Sequence, residues 1–307
     1  MRLVFMGTPQ AAVPSLERLI SDSHEIVAVY TQPDRPSGRG NKVTFSPVKE
    51  TAIAHDIEVR QPSKIKTDEA FDEFVALKAD AAIVVAYGRI LPEQWLSAFP
   101  NGAINVHFSL LPKYRGAAPV NWAIVNGEPE TGVTTMLMDV GLDTGDILLQ
   151  RTTEIGADET SIELMSRLAD IGADLLSETL TQLATIAPQP QDHSAGTFAP
   201  MMKKEDGAID WSMPADAIAN RIRGFQPFPS AYSFLRGKRI TLWRVKGELG
   251  ESEQPGTVIS VGGGELTIAT GDGLLCVSEL QPEGKKRMHV RDFLNGAGIH
   301  EGDKLGT

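Results

Sequence analysis

The chain of 307 residues contains one cysteine, Cys276. A single thiol can form neither an internal disulfide nor a thiolate metal cluster, and its default setting is the reducing cytoplasm. Long hydrophobic runs are missing: no apolar stretch approaches the ~20 residues of a membrane span, so no membrane partner is expected. The opening Met1-Arg-Leu-Val-Phe-Met-Gly7 is too short for the apolar region of a signal peptide and reads as a first strand. The turn after it, Gly7-Thr-Pro-Gln10, holds one glycine where a dinucleotide fingerprint needs three, which favours a plain strand-to-helix turn over a nicotinamide site. Positive charge is scarce: 29 Lys+Arg against 40 Asp+Glu leave a net charge of −11. That balance argues against a protein that coats nucleic acid through bulk electrostatics. The scarcity is uneven. Residues 1–202 hold 15 basic and 26 acidic side chains, whereas residues 203–307 hold 14 of each. Basic residues gathered on one face of the neutral second part could still meet phosphates.

A hydrophobic content of 41% supplies a real core, and the length suggests two domains. Residues 3–6, 26–30, 81–86, 103–106 and 133–138 are nearly continuous apolar runs between helical stretches. Such runs indicate a mostly parallel, doubly wound, Rossmann-like α/β sheet covered on both faces. Helices are expected over 14–20, over 68–77, and from a Thr160/Glu163 capping box onward. After Ile186 the periodicity ends in a proline-containing stretch that reads as a linker. Residues 214–223 then form a helix closed by Gly224. Beyond it, short β-type runs at 231–235, 240–245, 257–261, 265–269 and 274–280 are separated by turn signals at Arg236-Gly237, Gly262-Gly-Gly264 and Asp272-Gly273. Five short strands suggest a small OB-like β-barrel. The expected division is a catalytic domain over 1–188, a linker over 189–206 and a barrel over 207–307.

Asn105 and His107 alternate onto one face of a strand whose other residues are apolar. Buried without partners, two such groups would cost several kcal/mol, a difficulty that a pocket removes. Asp139, Asp143 and Asp146 share a loop with Gly141 and Gly145. Their spacing misses the calcium-loop motif, and no metal is expected. An amide, an imidazole and a carboxylate suit addition to a carbonyl, but the loop alone does not say which aspartate takes part. Residues 32–42 are rich in glycine and proline, and Arg35, Arg39 and Lys42 stand there without an acid after Asp34. A surface loop and a phosphate-contacting arm both fit. Residues 84–92 run from a buried strand into a glycine turn, where backbone groups could meet a planar heterocycle. Lys285, Lys286 and Arg287 form one basic cluster of the second part, and Arg236, Lys238 and Arg239 another.

Together these motifs resemble the formyltransferase family that uses 10-formyltetrahydrofolate. Asn105-Val-His107, Ser109-Leu-Leu-Pro112 and Tyr114-Arg-Gly-Ala-Ala-Pro119 are similar to its active-site signature, and Asp139-Val-Gly-Leu-Asp-Thr-Gly-Asp146 to its second. The resemblance implies Asn105, His107 and Asp143 as catalytic residues. It implies Ser109, Leu110, Leu111 and Pro112 as folate contacts, with Tyr87, Gly88, Arg89, Ile90, Leu91 and Val140 flanking the pterin. Phe108 departs from the pattern, since relatives more often carry a small residue or proline there. The first turn, Thr31-Gln-Pro-Asp-Arg-Pro-Ser-Gly-Arg-Gly40, and the segments Thr270-Gly-Asp-Gly-Leu274 and Leu280-Gln-Pro-Glu-Gly-Lys-Lys286 are similar to the tRNA-directed branch. That branch implies formyl transfer to the α-amino group of methionyl-initiator tRNA, with Arg35, Arg39, Lys42, Lys285, Lys286 and Arg287 as tRNA contacts. The rival readings are formyl transfer to an amino sugar or another small amine, hydrolysis of the formyl-folate, and a non-enzymatic RNA-binding module. A monomer is expected, because no apolar dimer face is evident.

Overall fold

The computed structural model describes residues 1–37, 42–250 and 254–306. By contacts the chain divides into two compact units. The first comprises Met1–Pro119, Glu130–Glu154 and Met165–Ala199, and the second Val120–Pro129, Ile155–Leu164 and Pro200–Thr307.

The first unit is built on a seven-stranded sheet. Its strands are β1 (Arg2–Gly7), β2 (Glu25–Tyr30), β3 (Val59–Arg60), β4 (Ala81–Val85), β5 (Ala103–His107), β6 (Glu130–Leu137) and β7 (Ile147–Glu154), in the order β7-β6-β5-β4-β1-β2-β3. β3, β2, β1, β4 and β5 are parallel. β4 and β5 are buried at every position, as strands covered on both faces must be. β6 runs antiparallel to β5, and β7 antiparallel to β6, so a hairpin ends a mostly parallel sheet. β7 had no clear signal in the sequence, because its more exposed face carries the polar residues Gln150, Thr152 and Glu154 and the other face also carries Arg151 and Thr153.

Helices Val13–Ser21, Pro47–Ala54, Asp68–Val75 and Ser161–Gln182 follow local rules. The Ser46 hydroxyl accepts from the Lys49 amide at 3.2 Å, and the Thr67 hydroxyl from Ala70 at 3.3 Å. The expected capping box forms: the Thr160 amide donates to Glu163 at 2.9 Å, and the Glu163 amide donates back to the Thr160 hydroxyl at 3.4 Å. One face of the sheet packs on an aromatic cluster in which Phe74 stacks on Trp95 at 4.1 Å and Tyr30 meets both rings edge-on.

The second unit carries strands β8 (Tyr232–Leu235), β9 (Lys238–Glu248), β10 (Val258–Gly262), β11 (Glu265–Ala269), β12 (Leu274–Pro282) and β13 (Met288–His289). The antiparallel path is β8-β9-β12-β11-β10, with β13 on β12. Its turns fall where the sequence signals them, with left-handed backbone at Arg236, Gly237, Gly263, Gly264 and Gly273. Lys304 bridges to Thr257 and Leu305 to Leu235, so the C-terminal segment laces both edges of the path. Ile218 and Ile222, one turn apart on the helix Ala215–Gly224, join Leu242, Leu266, Leu275 and Leu280 in the core.

Candidate active site

β5 delivers Asn105 and His107 to the same face. Val106 and Phe108 lie on the other side. Each comes close to the bare α-carbon of Gly172 on the long helix, where a β-carbon would sit 3.0 Å from Val106 Cγ1 and 3.4 Å from Phe108 Cε1. The bulky ring at position 108 is therefore housed in the core, away from the polar face.

His107 is buried, at 6% exposure. Its Nε2 lies 2.9 Å from the Tyr114 carbonyl oxygen. A carbonyl can only accept, so this contact assigns the hydrogen to Nε2 and leaves Nδ1 as the nitrogen that gains or loses a proton. Nδ1 faces Asp143 Oδ2 at 3.7 Å. That distance exceeds a hydrogen bond, but catalytic contacts are commonly long before substrate arrives. Asp143 Oδ2 accepts instead from the Gly116 amide at 2.8 Å. Of the three aspartates in the loop, Asp143 is the one that faces the imidazole. Asp139 turns its carboxylate back on its own loop, accepting from the Gly141 amide at 3.0 Å and the Thr144 hydroxyl at 2.7 Å. Among the described residues the Asn105 carboxamide, in a side chain that is 8% exposed, has no hydrogen-bond partner.

The backbone here is unusual. Tyr114 and Asp143 have φ of 60° and 53°, left-handed values for residues with a β-carbon, at about 1–3 kcal/mol each. Gly116, whose amide donates to Asp143, has φ of 116°, and a β-carbon there would lie 2.8 Å from the Ala199 carbonyl oxygen.

The segment Ser109-Leu-Leu-Pro112 is held from beneath. Thr134 donates its hydroxyl to the Ser109 carbonyl at 2.7 Å and accepts from the Leu111 amide at 3.1 Å. Gln150 donates to the Leu111 carbonyl at 2.9 Å. Ser109 and Leu111 are buried, and Leu110 and Pro112 half-buried. Ser109 turns its hydroxyl to the Lys113 carbonyl at 2.7 Å. Tyr87 points into the aromatic core. Among the described residues its hydroxyl has no hydrogen-bond partner, and burial pushes its pKa up to about 12. Its carbonyl accepts from Thr8 Oγ1 at 3.1 Å and Gln32 Nε2 at 3.0 Å, which ties the first turn to this strand end. Gly88 follows with φ of 80°. Arg89 donates to Gln32 Oε1 at 3.2 Å, and Leu91 is buried. Ile90 and Val140 are left 79% and 71% exposed, as the sides of a ligand cleft would be. A cavity of about 760 Å³ opens beside Ala103, at the other end of β5, lined also by Leu96, Phe99, Met138 and Leu148. None of the residues expected to contact the folate lines it.

Arg35 is exposed in a short ribbon that pairs Arg35–Ser37 with Lys42–Thr44, and Lys42 begins the return strand. Arg39 lies outside the described residues. The neck of this ribbon is tied: Lys49 donates to Asp34 at 2.5 Å and to Gln61 at 2.8 Å, and Gln61 donates to Asp34 at 2.8 Å. In the second unit Lys285 and Lys286 are exposed in the turn between β12 and β13, with no acidic partner among the described residues. Arg287 pairs with Glu279 at 2.5 Å and lies over the Trp243 ring. Arg236, by contrast, binds Asp303 at 2.8 Å in the C-terminal segment.

Sequence reasoning passed over four residues of this site. Arg115 lies inside a quoted motif without a role, and Thr134, Gln150 and Gln191 carry no local signal, since their partners lie far away in the chain. Gln191 Nε2 donates to the Asp143 and Gly145 carbonyls at 3.0 and 2.7 Å, and its Oε1 accepts from Arg115.

Comparison with known proteins gives the family. Residues 1–180 match the family described as formyl transferase, and residues 201–298 match its C-terminal domain. A methionyl-tRNA formyltransferase of Citrifermentans bemidjiense is 52% identical, covering 100% of this chain and 96% of the relative. One of Solibacter usitatus is 50% identical, covering 100% and 99%. A solved N-formyltransferase of Helicobacter canadensis, in complex with folinic acid and dTDP-3-aminofucose, shares the fold at a TM-score of 0.70 and 21% identity, covering 93% of this chain and 99% of that one. With both family domains matched in order and half of its residues shared with such relatives over its full length, the chain belongs to the formyl transferase family.

Proposed function

We propose that the protein transfers a formyl group from 10-formyltetrahydrofolate to the α-amino group of methionyl-initiator tRNA, giving N-formylmethionyl-tRNA and tetrahydrofolate for translation initiation. The observation that carries this reading is the free Asn105 amide beside the His107–Asp143 pair, in a chain about half identical to methionyl-tRNA formyltransferases from end to end. When bound, the folate supplies an activated formyl carbon, so no metal is called for. Asn105 donates a hydrogen bond to the formyl oxygen as negative charge develops there. His107, with Nε2 held by the Tyr114 carbonyl, keeps Nδ1 for the proton. Asp143 accepts the proton released by the attacking amine and hands it to His107 Nδ1, stabilises the imidazolium so formed, and the imidazolium passes that proton to the departing nitrogen. Exposed Ile90 and Val140 suit the two faces of a flat pterin, and the Thr134- and Gln150-held segment 109–112 forms a fixed wall.

We assign recognition of the acceptor end of the tRNA to Arg35, Arg39 and Lys42, and the tRNA body to the second unit through Lys285, Lys286 and Arg287. One chain supplies Asn105, His107 and Asp143, so a monomer suffices. Use of the product in translation and a lone thiol support a cytoplasmic setting. Incubation with 10-formyltetrahydrofolate and methionine-charged initiator or elongator tRNA tests the reading. Transfer to the initiator alone is expected. Transfer to an amino sugar, or hydrolysis unaffected by tRNA, would overturn it.

A further inference from the structure

The stretch after Ile186 reads as a spacer in sequence, yet Gln191 within it is only 6% exposed. Its amide is fully used. Nε2 donates to the main-chain carbonyls of Asp143 at 3.0 Å and Gly145 at 2.7 Å, while Oε1 accepts from Arg115 Nε at 3.1 Å and Nη2 at 2.6 Å. Two carbonyls on one side and a guanidinium on the other leave one orientation for the amide. Arg115 is also buried, at 4% exposure, and its other bond goes to His193 Nδ1 at 3.1 Å. Among the described residues no carboxylate side chain accepts from this buried cation.

Arg115 stands between the two residues that orient the reacting pair. Tyr114 precedes it and takes the His107 Nε2 hydrogen; Gly116 follows it and donates to Asp143 Oδ2. Gln191 therefore closes a loop of contacts. It grips the backbone of Asp143 and, through Arg115, the segment that orients His107. The 139–146 loop also approaches that segment through the Gly116–Asp143 hydrogen bond, and Asp143 holds a left-handed backbone that must be enforced from outside. The same strip of chain is anchored further along, where Phe198–Ala199 pairs with Arg115–Gly116.

We infer that Gln191 is a positioning residue for formyl transfer, setting through Arg115 the separation of His107 Nδ1 and Asp143 Oδ2. This rests on the proposed roles of His107 and Asp143. A displacement of the order of 1 Å at such a pair costs about 10²-fold in rate. Gln191→Met removes both sets of bonds at similar length. Gln191→Glu keeps the bond to Arg115, but sets an anion against the Asp143 and Gly145 carbonyls.

The experiment compares wild type, Gln191→Met, Gln191→Glu and Asp143→Asn in steady-state formyl transfer across pH, with folding checked by circular dichroism. Gln191→Met is expected to lose about 10- to 100-fold in kcat with KM for 10-formyltetrahydrofolate and for tRNA unchanged. Gln191→Glu is expected to lower kcat with both KM values unchanged, because its carboxylate is repelled by the Asp143 and Gly145 carbonyls that the amide holds, a kcat-against-KM split that a purely structural contact would not produce. Wild-type kcat and pH profile in both Gln191 variants, with Asp143→Asn impaired, would overturn the inference while leaving the pair intact. Normal turnover by Asp143→Asn would overturn the roles on which it rests. If Gln191→Met does not fold, the kcat-against-KM split of Gln191→Glu decides.

Discussion

At the scale of single residues, position on the strand decides chemistry. Asn105 and His107 face the site, whereas Phe108 turns to Gly172 in the core. Asn105→Ala should therefore lower kcat by about 10²–10³-fold with little change in KM, and near-normal turnover would remove Asn105 from the mechanism. Phe108→Ala belongs to the opposite class. The ring is 6% exposed, and its loss should cost about 3–5 kcal/mol of stability, read by denaturant unfolding, while the folded fraction retains its kcat. The residue types of the site were legible, because two polar groups on one face of an apolar strand are hard to explain otherwise. The direction of Tyr87 was not. The 87–91 segment suggested a pterin neighbour without saying where its ring points; the ring belongs to the same buried cluster as Trp95 and Phe74, and its carbonyl meets Thr8 and Gln32 at the strand end.

At the scale of elements, the clearest signals were turns and caps. Arg236-Gly237 and Gly263-Gly264 adopt the left-handed backbone that joins tight β-strands, and the Thr160–Glu163 box opens a helix. These depend on neighbours in sequence, so a sequence can state them. The neck of the 34–49 ribbon was hidden, because Gln61 joins Asp34 and Lys49 from another strand end. There the hydrogen bond from Lys49, followed by that from Gln61, holds the Asp34 carboxyl below its usual pKa. A lowered carboxyl stabilises the fold above its ordinary pKa, and this support is lost as pH falls through the folded value. Asp34→Asn should thus increase hydrogen exchange in the helix Pro47–Ala54 relative to wild type at pH 7, and the gap should close as the pH falls well below about 3.9. A gap that persists in acid would refute the ion-pair account of the neck.

At the scale of the whole molecule, a net charge of −11 must be reconciled with a polyanionic substrate. The solution proposed here is local: Lys285 and Lys286 stand exposed in a turn of the charge-balanced stretch 203–307, with no acidic partner among the described residues. Replacing both by Glu should weaken initiator-tRNA binding and flatten its dependence on log salt concentration by about 0.7–0.9 per lost phosphate contact, with KM for the formyl donor unchanged. An unaltered salt slope would place the phosphate contacts elsewhere. Arg39→Ala should reduce kcat/KM for tRNA while leaving donor affinity intact; equal losses for both substrates would contradict its assignment to the acceptor end.

The amino-acid sequence by itself determined the mostly parallel sheet, the hairpins of the second unit, the residue types of the site and, through paired motifs, the family. Each of these is carried by neighbours along the chain or by short spaced patterns. Only the tertiary structure decided that Asp143 faces His107, that Nδ1 is the nitrogen left for the proton, that Phe108 is a core residue, and that Gln191 ties the loop. Those choices rest on contacts across long stretches of chain: 27 residues separate Gly116 from Asp143, and 76 separate Arg115 from Gln191. A hydrogen bond is selected by distance and angle in space, and no periodicity in the sequence encodes which distant partner will satisfy it.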